Sequence, residues 1–129
     1  HGHTGLGRNP DVLHLVRPRV FPGVYVGGFG IACTAIEALT KQLAAEVGPD
    51  GIRVNCLRSE GIPESWEVAS TGEWSAPPEE IGAFLEQRSL LGRVTTLADV
   101  GNAATFLASD RAAATTGTVF NLTSGTVVD

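Results

Sequence analysis

The sequence predicts an α/β protein in which a three-stranded parallel sheet is flanked by helices, in three layers. Three observations carry that expectation. Short β-branched runs take turns with longer stretches of helical period. The strands are separated by helices rather than hairpin turns, which implies right-handed crossovers and parallel pairing. The 129 residues, 43% of them hydrophobic, are enough for one domain around one core.

Each element has its own signal. Residues 1–10 are polar and glycine-rich and read as loop. DVLHLV, Asp11 to Val16, is a short apolar run closed by Pro18 and reads as a buried strand. Residues 17–28 form a loop broken by Pro18, Pro22, Gly23, Gly27 and Gly28. A helix then runs from about Gly30 to Val47, because Ile36, Leu39, Leu43 and Val47 recur every three or four residues as an apolar stripe. Ile31, Ala32, Ala35 and Ala38 widen that stripe, so the helix can meet a sheet on one side and a second helix on the other. Glu37 and Lys41 stand four apart in the favourable order for a surface ion pair. Gly48, Pro49 and Gly51 stop the helix.

IRVNCLR, Ile52 to Arg58, alternates at period two and reads as a strand. Residues 59–76 show no sustained period and read as a long loop, of the kind compact domains use for binding or as lids. That loop holds Trp66 and Trp74, read as packing onto their own domain, with a lid over an apolar ligand as the alternative. Pro77 and Pro78 lead into a short helix, about Glu79 to Arg88, with Ile81, Phe84 and Leu85 as its apolar face. TLAD, Thr96 to Asp99, is a capping-box start for a helix reaching about Ser109, striped by Leu97, Val100, Ala104 and Leu107. After a turn at Thr116 and Gly117, TVFNLT, Thr118 to Thr123, is the last strand. Three strands leave two sheet edges to protect, and the widened apolar helix face asks for a neighbour.

Composition excludes several classes. The net charge is −5, Lys41 is the only lysine and the arginines are scattered. Nucleic-acid and anionic-membrane surfaces need clustered cations, so neither partner is expected. No apolar run nears the ~20 residues of a membrane helix, and the first residues hold no signal-peptide core, so a cytoplasmic location is expected. Cys33 and Cys56 read as two buried free thiols in a reducing compartment. His1 and His3 lack further evident ligands, so no metal is expected. Asn121, Leu122 and Thr123 match a glycosylation triplet, discounted because they fall in a predicted buried strand. The sequence neither starts with Met nor contains one, which suggests a truncated piece of a longer polypeptide.

Three motifs in order go further: AIEALTKQLAAEVGPDGIRVNC, LLGRVTTLADVGNAATFLASD and TTGTVFNLTSG. On them, residues 27–129 resemble the C-terminal half of a short-chain dehydrogenase/reductase, a Rossmann-like fold. Residues 1–26 match poorly and hold one possible strand, DVLHLV, which could be the family's strand before the active site. The resemblance implies an NAD- or NADP-dependent oxidoreductase that binds its cofactor through a Gly-rich turn near the N-terminus. In such enzymes a Ser, a Tyr and a Lys four residues after the Tyr carry the proton transfer, one helical turn placing Tyr and Lys on one face.

Aligned on the helix, Phe29 takes the Tyr position and Cys33 the Lys position. The only Tyr is Tyr25 and the only Lys is Lys41, so no Tyr-x-x-x-Lys exists. The family's Ser would fall near Val16 or Arg17, and no Ser precedes Ser59. GHTGLG, Gly2 to Gly7, spaces its glycines loosely like the phosphate turn, but Asn9-Pro10 follows where a helix is needed. No catalytic residue is therefore expected. The loop after Arg58 normally meets the nicotinamide carboxamide, which makes Ser59, Glu60, Gly61 and Ile62 the candidate cofactor contacts, against the simpler reading of a solvated loop. The expected function is an NAD(P)-dependent oxidoreductase lineage that is catalytically incompetent as this chain. The alternative is a non-catalytic dimerisation or ligand-binding protein that keeps the fold. Either way, the helix Gly30 to Val47 is the expected contact with a second copy or with a missing N-terminal half.

Overall fold

A computed structural model describes residues 11–16, 28–66 and 78–129. Its elements in chain order are β1 (Val12–Val16), α1 (Phe29–Val47), β2 (Val54–Ser59), α2 (Pro63–Trp66), α3 (Pro78–Arg88), α4 (Leu97–Ala108) and β3 (Val119–Leu122). Single 3-10 turns follow α1 at Gly48–Asp50 and α4 at Asp110–Ala112. The expectations placed on His1, His3, the GHTGLG turn, residues 17–27 and Trp74 lie outside the described residues, and of Trp66 only the backbone is described.

The strands form one parallel sheet in the order β1-β2-β3, with Val12 opposite Val54 and Cys56 opposite Val119. The α/β architecture read from the alternation of elements is the one present. β2 is the centre, and all six of its residues are buried. Its side chains alternate between the two faces, as a pleated strand must. Leu57 packs with Ala103, Leu107 and Ala112 on the α4 side. Cys56 packs with Cys33, and Arg58 pairs with Glu37, both on α1. Helices thus cover both faces, giving three layers.

α1 runs against the strand direction. Near its end, Ala44 lies 3.4 Å from where a Cβ on Gly117 would stand, and the Gly117 amide bonds the carbonyl of Val54 at the start of β2. The start of α1 therefore lies toward the carboxyl ends of the strands. Gly51 closes the helix exit at φ 75°, a left-handed conformation that glycine adopts without a Cβ clash.

Several expectations need correction. β1, read as buried, exposes Val12 (36%) and Leu13 (41%), β3 is half-buried rather than buried, and Phe84 and Leu97 of the α3 and α4 stripes are exposed. The buried line of α1 is Cys33, Glu37, Thr40 and Ala44, not Ile36, Leu39, Leu43 and Val47. Leu39 is 47% exposed, and the other three are half-buried flanks. The cause is Arg58, which faces α1 and draws a carboxylate into the helix–sheet seam, while Thr40 satisfies its own hydroxyl on the Ile36 carbonyl at 2.9 Å. The stretch 59–76 is not wholly loop either. α2 forms one turn there, seeded by Pro63, with the Ser65 amide and hydroxyl both donating to the Ile62 carbonyl at 2.9 and 2.7 Å.

α4 is tied at both ends. Thr96 and Asp99 make the expected capping box, and Glu64 of α2 accepts the Leu97 amide at 2.9 Å. Beyond its other end, Arg53 donates to the carbonyls of Leu107 (2.6 Å), Ala112 (3.0 Å) and Ser109 (3.3 Å), and to the Asp11 carboxylate (2.9 Å). A guanidinium suits those last carbonyls by both geometry and charge.

Candidate cofactor site at the carboxyl end of the sheet

In parallel α/β sheets the ligand-binding end is the one where strands finish and helices begin. Here that end carries Ser59 as the last residue of β2, then Glu60, Gly61 and Ile62, then α2. The structure brings these four residues together as one buried segment, not as a solvated loop. Ser59 is 1% exposed, Glu60 3% and Ile62 5%, and Gly61 is also buried. Both carboxylate oxygens of Glu60 are shut off from solvent.

Phe29 opens α1 and is 42% exposed, while Cys33, one turn on, is 4% exposed. The two positions diverge: one side chain stays near solvent and the other turns into the seam against Cys56. Burial, and next the charge of Glu37, push the Cys56 thiol up to about 11, so it is protonated at neutral pH. Neither Phe29 nor a thiol in that seam supplies a positioned hydroxyl or a fixed cation.

The charges nearby are already committed. Arg58 is bonded through Nε to Glu37 at 2.8 Å and through Nη1 to Asp129. Those contacts, the Glu37 hydrogen bond foremost, hold its guanidinium above its ordinary pKa despite burial. The expected surface pairing of Glu37 with Lys41 is thus superseded: Glu37 is 5% exposed and serves Arg58, whereas Lys41 is exposed. Sequence reading missed this network because its members are 21 and 71 residues apart. The one available signal was Arg58 at a position that shares its strand face with Cys56 and Val54.

Beside β3 an open groove of about 510 Å³ is lined by Leu91, Arg93, Thr95, Asn102, Asn121 and Val128, among others. Arg93 is held there by both oxygens of Asp99, at 2.8 and 3.0 Å. The Asn121 amide is used internally, donating to the Val127 carbonyl at 2.8 Å and accepting from the Thr123 amide and hydroxyl. The strand that carries the glycosylation triplet is half-buried, not buried as expected. Among the described residues no group of three or more His, Cys, Asp or Glu is arranged to hold a metal, and no helix is long and apolar enough to cross a membrane.

The described residues suit only part of a dinucleotide. The buried segment 59–62 lies at the strand end, the place the resemblance gives to a carboxamide contact. A diphosphate needs free cations or a helix-borne amide cradle. Arg58 and Arg93, however, are each held in an ion pair.

Residues 18–126 match the family model described as enoyl-(acyl carrier protein) reductase. The chain is 38% identical over 131 aligned positions to the enoyl-[acyl-carrier-protein] reductase [NADH] FabI of Bacillus cereus, covering 95% of this chain and 49% of that protein. It is 36% identical over 97 residues to the short-chain dehydrogenase/reductase SDRA of Arabidopsis thaliana, covering 75% of this chain and 36% of that one. Its fold superposes on a crystal structure of a short-chain dehydrogenase/reductase, a glucose/ribitol dehydrogenase from Brucella melitensis, with a TM-score of 0.73 at 20% identity. That match covers 92% of this chain and 46% of the other. The chain therefore spans about half or less of the length of these relatives.

Proposed function

Because this chain belongs to the enoyl-(acyl carrier protein) reductase family of short-chain dehydrogenases/reductases, we propose that it is the carboxyl-terminal half of an NAD(P)-dependent oxidoreductase fold without a working proton relay. In this reading Ser59, Glu60, Gly61 and Ile62 hold the nicotinamide end of NAD or NADP. The diphosphate falls to an amino-terminal half of the kind the longer relatives possess. The chain acts in the cytoplasm, where its two thiols stay reduced. The observation that carries the reading is the pairing of a buried strand-end segment at 59–62 with a phenylalanine and a seam-buried thiol at positions 29 and 33. A hydride acceptor needs a proton from a group within hydrogen-bond reach, and those two side chains offer none of the right kind.

The experiment is a titration of the purified chain with NADH and with NADPH, following the fluorescence of Trp66 and Trp74, alongside a turnover assay with carbonyl and enoyl-thioester acceptors. Saturable quenching without nucleotide oxidation is the expected result. No saturable change removes the cofactor reading for this chain, and steady oxidation removes the silent-relay reading.

A second reading is favoured by one observation: the outer face of α1 exposes Ile31 (77%) and Leu39 (47%) beside the exposed Ala32, Ala35 and Ala38. Small and aliphatic residues on one face let two helices approach closely. A non-catalytic chain pairing through α1, with a second copy or an amino-terminal half, would use that face. Light scattering tests it, with loss of the larger species in Ile31→Glu/Leu39→Glu; a stable monomer before substitution counts against self-pairing.

A further inference from the structure

Cys33 and Cys56 are 23 positions apart in sequence and belong to different elements, yet they form one buried cluster in the seam between α1 and β2. Both are free thiols. Ile36 and Val119 wall the pair in, so the two thiols share one small apolar compartment. We propose that Cys33 and Cys56 are an oxidisable dithiol which peroxide converts, within the native fold, into a disulfide that staples α1 to the central strand.

The chemistry balances with hydrogen peroxide as the oxidant. The Cys33 thiolate attacks one peroxide oxygen, the O–O bond breaks, and Cys33 becomes a sulfenic acid as hydroxide leaves and is protonated to water. The Cys56 thiol then attacks the Cys33 sulfur, forming the S–S bond as its proton passes to the departing sulfenic oxygen, which leaves as a second water. Two thiols lose two protons and two electrons, and one peroxide takes them up. The order follows from access. Cys33 is 4% exposed and Cys56 fully buried, so the first encounter falls to Cys33. Cys56, with its thiol pushed up to about 11, is the poorer first nucleophile, but its target then lies in the same buried cluster. Peroxide is small enough to reach a nearly buried sulfur, where a bulky disulfide reagent must wait for the seam to open.

The bond would close a loop from the first turns of α1 through the Gly48–Asp50 turn to β2, pinning the position just under Phe29. It changes no charge. Thr40 and Glu37, the other groups facing Cys56 from α1, keep their places. This inference is independent of whether the chain binds a nucleotide.

The test treats the folded full chain with a few equivalents of hydrogen peroxide, quenches, denatures in an alkylating agent and weighs the product. The expected result is a chain lighter by two hydrogens with no alkylated cysteine, and a tryptic cross-link joining the Cys33 and Cys56 peptides. Its thermal midpoint should rise by several degrees over the reduced chain, as a native cross-link requires. Cys33→Ala should abolish the product, and Cys56→Ala should instead leave a sulfenic acid trappable by dimedone. Two fully alkylated thiols after treatment that oxidises the urea-unfolded chain would overturn the proposal. So would a cross-linked chain with a lowered midpoint, since that bond would belong to an opened state.

Discussion

Arg58 keeps its charge at 3% exposure because Glu37 meets its Nε and Asp129 its Nη1. A buried ion pair adds little over an apolar substitute, but removing one member strands the other. Glu37→Ala should therefore destabilise the chain by about 3–5 kcal/mol, while Glu37→Met with Arg58→Leu should cost far less; urea unfolding of the three chains measures both. If Glu37→Ala unfolds at the same urea concentration as the parent, the pair is not structural. The double change Phe29→Tyr/Cys33→Lys should not yield reductase turnover. No serine precedes Ser59 in this sequence, and a lysine at position 33 must place its amine in the seam beside Cys56. Measurable nucleotide oxidation by a folded double variant refutes that. At this scale the sequence was half legible. That Phe29 and Cys33 stand one turn apart at the start of α1 was legible, because the helix motif fixes their register. The pairing of Glu37 with Arg58 was not, because a carboxylate on a helix reads as solvent-facing until the strand beneath it is known to carry an arginine.

α4 begins where Thr96, Asp99 and Arg93 hold one another. Asp99 accepts from Arg93, the Thr96 amide and the Thr96 hydroxyl, and Arg93 foremost holds its carboxyl well below the usual carboxylate range. A carboxyl whose folded pKa is lowered binds protons more readily in the unfolded chain. Its stabilisation is complete above the unfolded value of about 4 and is lost as the pH falls toward the folded one. Asp99→Asn should accordingly flatten the loss of stability below about pH 4, seen by circular dichroism across an acid series; an unchanged acid limb contradicts it. Thr96→Ala should cost about 1 kcal/mol through the lost cap. Gly125 stands at φ 86° with Leu90 Cβ 2.6 Å from where its own Cβ would be, so Gly125→Ala should lower the thermal midpoint more than Thr96→Ala does. Helix starts were legible where a side chain marks them, as Thr96 does. The single turn α2 was not, since four residues are too few to show a period, and its bonds to Ile62 are local. The inward face of α1 was assigned to the wrong stripe for a related reason: hydrophobicity alone ranks Leu39 above Thr40, and packing against β2 reverses that order.

The whole sheet is three strands wide, and among the described residues β1 and β3 each pair only with β2. Protection should peak on the fully buried strand, so amides of Val54 to Ser59 should exchange with deuterium most slowly. Complete exchange there within the shortest labelling time would show that the chain does not fold alone. Parallel pairing was legible from the alternation of elements, because a strand followed by a helix must cross back before pairing again. What fills the fold's remaining borders was not, since an edge records no partner in its own residues. Arg53 shows what this architecture asks of a growing chain. Its guanidinium is made 54 to 59 residues before the Leu107, Ser109 and Ala112 carbonyls that receive it. On the ribosome it emerges with Asp11 already made, but the carbonyls at the far end of α4 are still to come. Closure of the α4 side of β2 therefore waits on residues made 54 to 59 positions after Arg53.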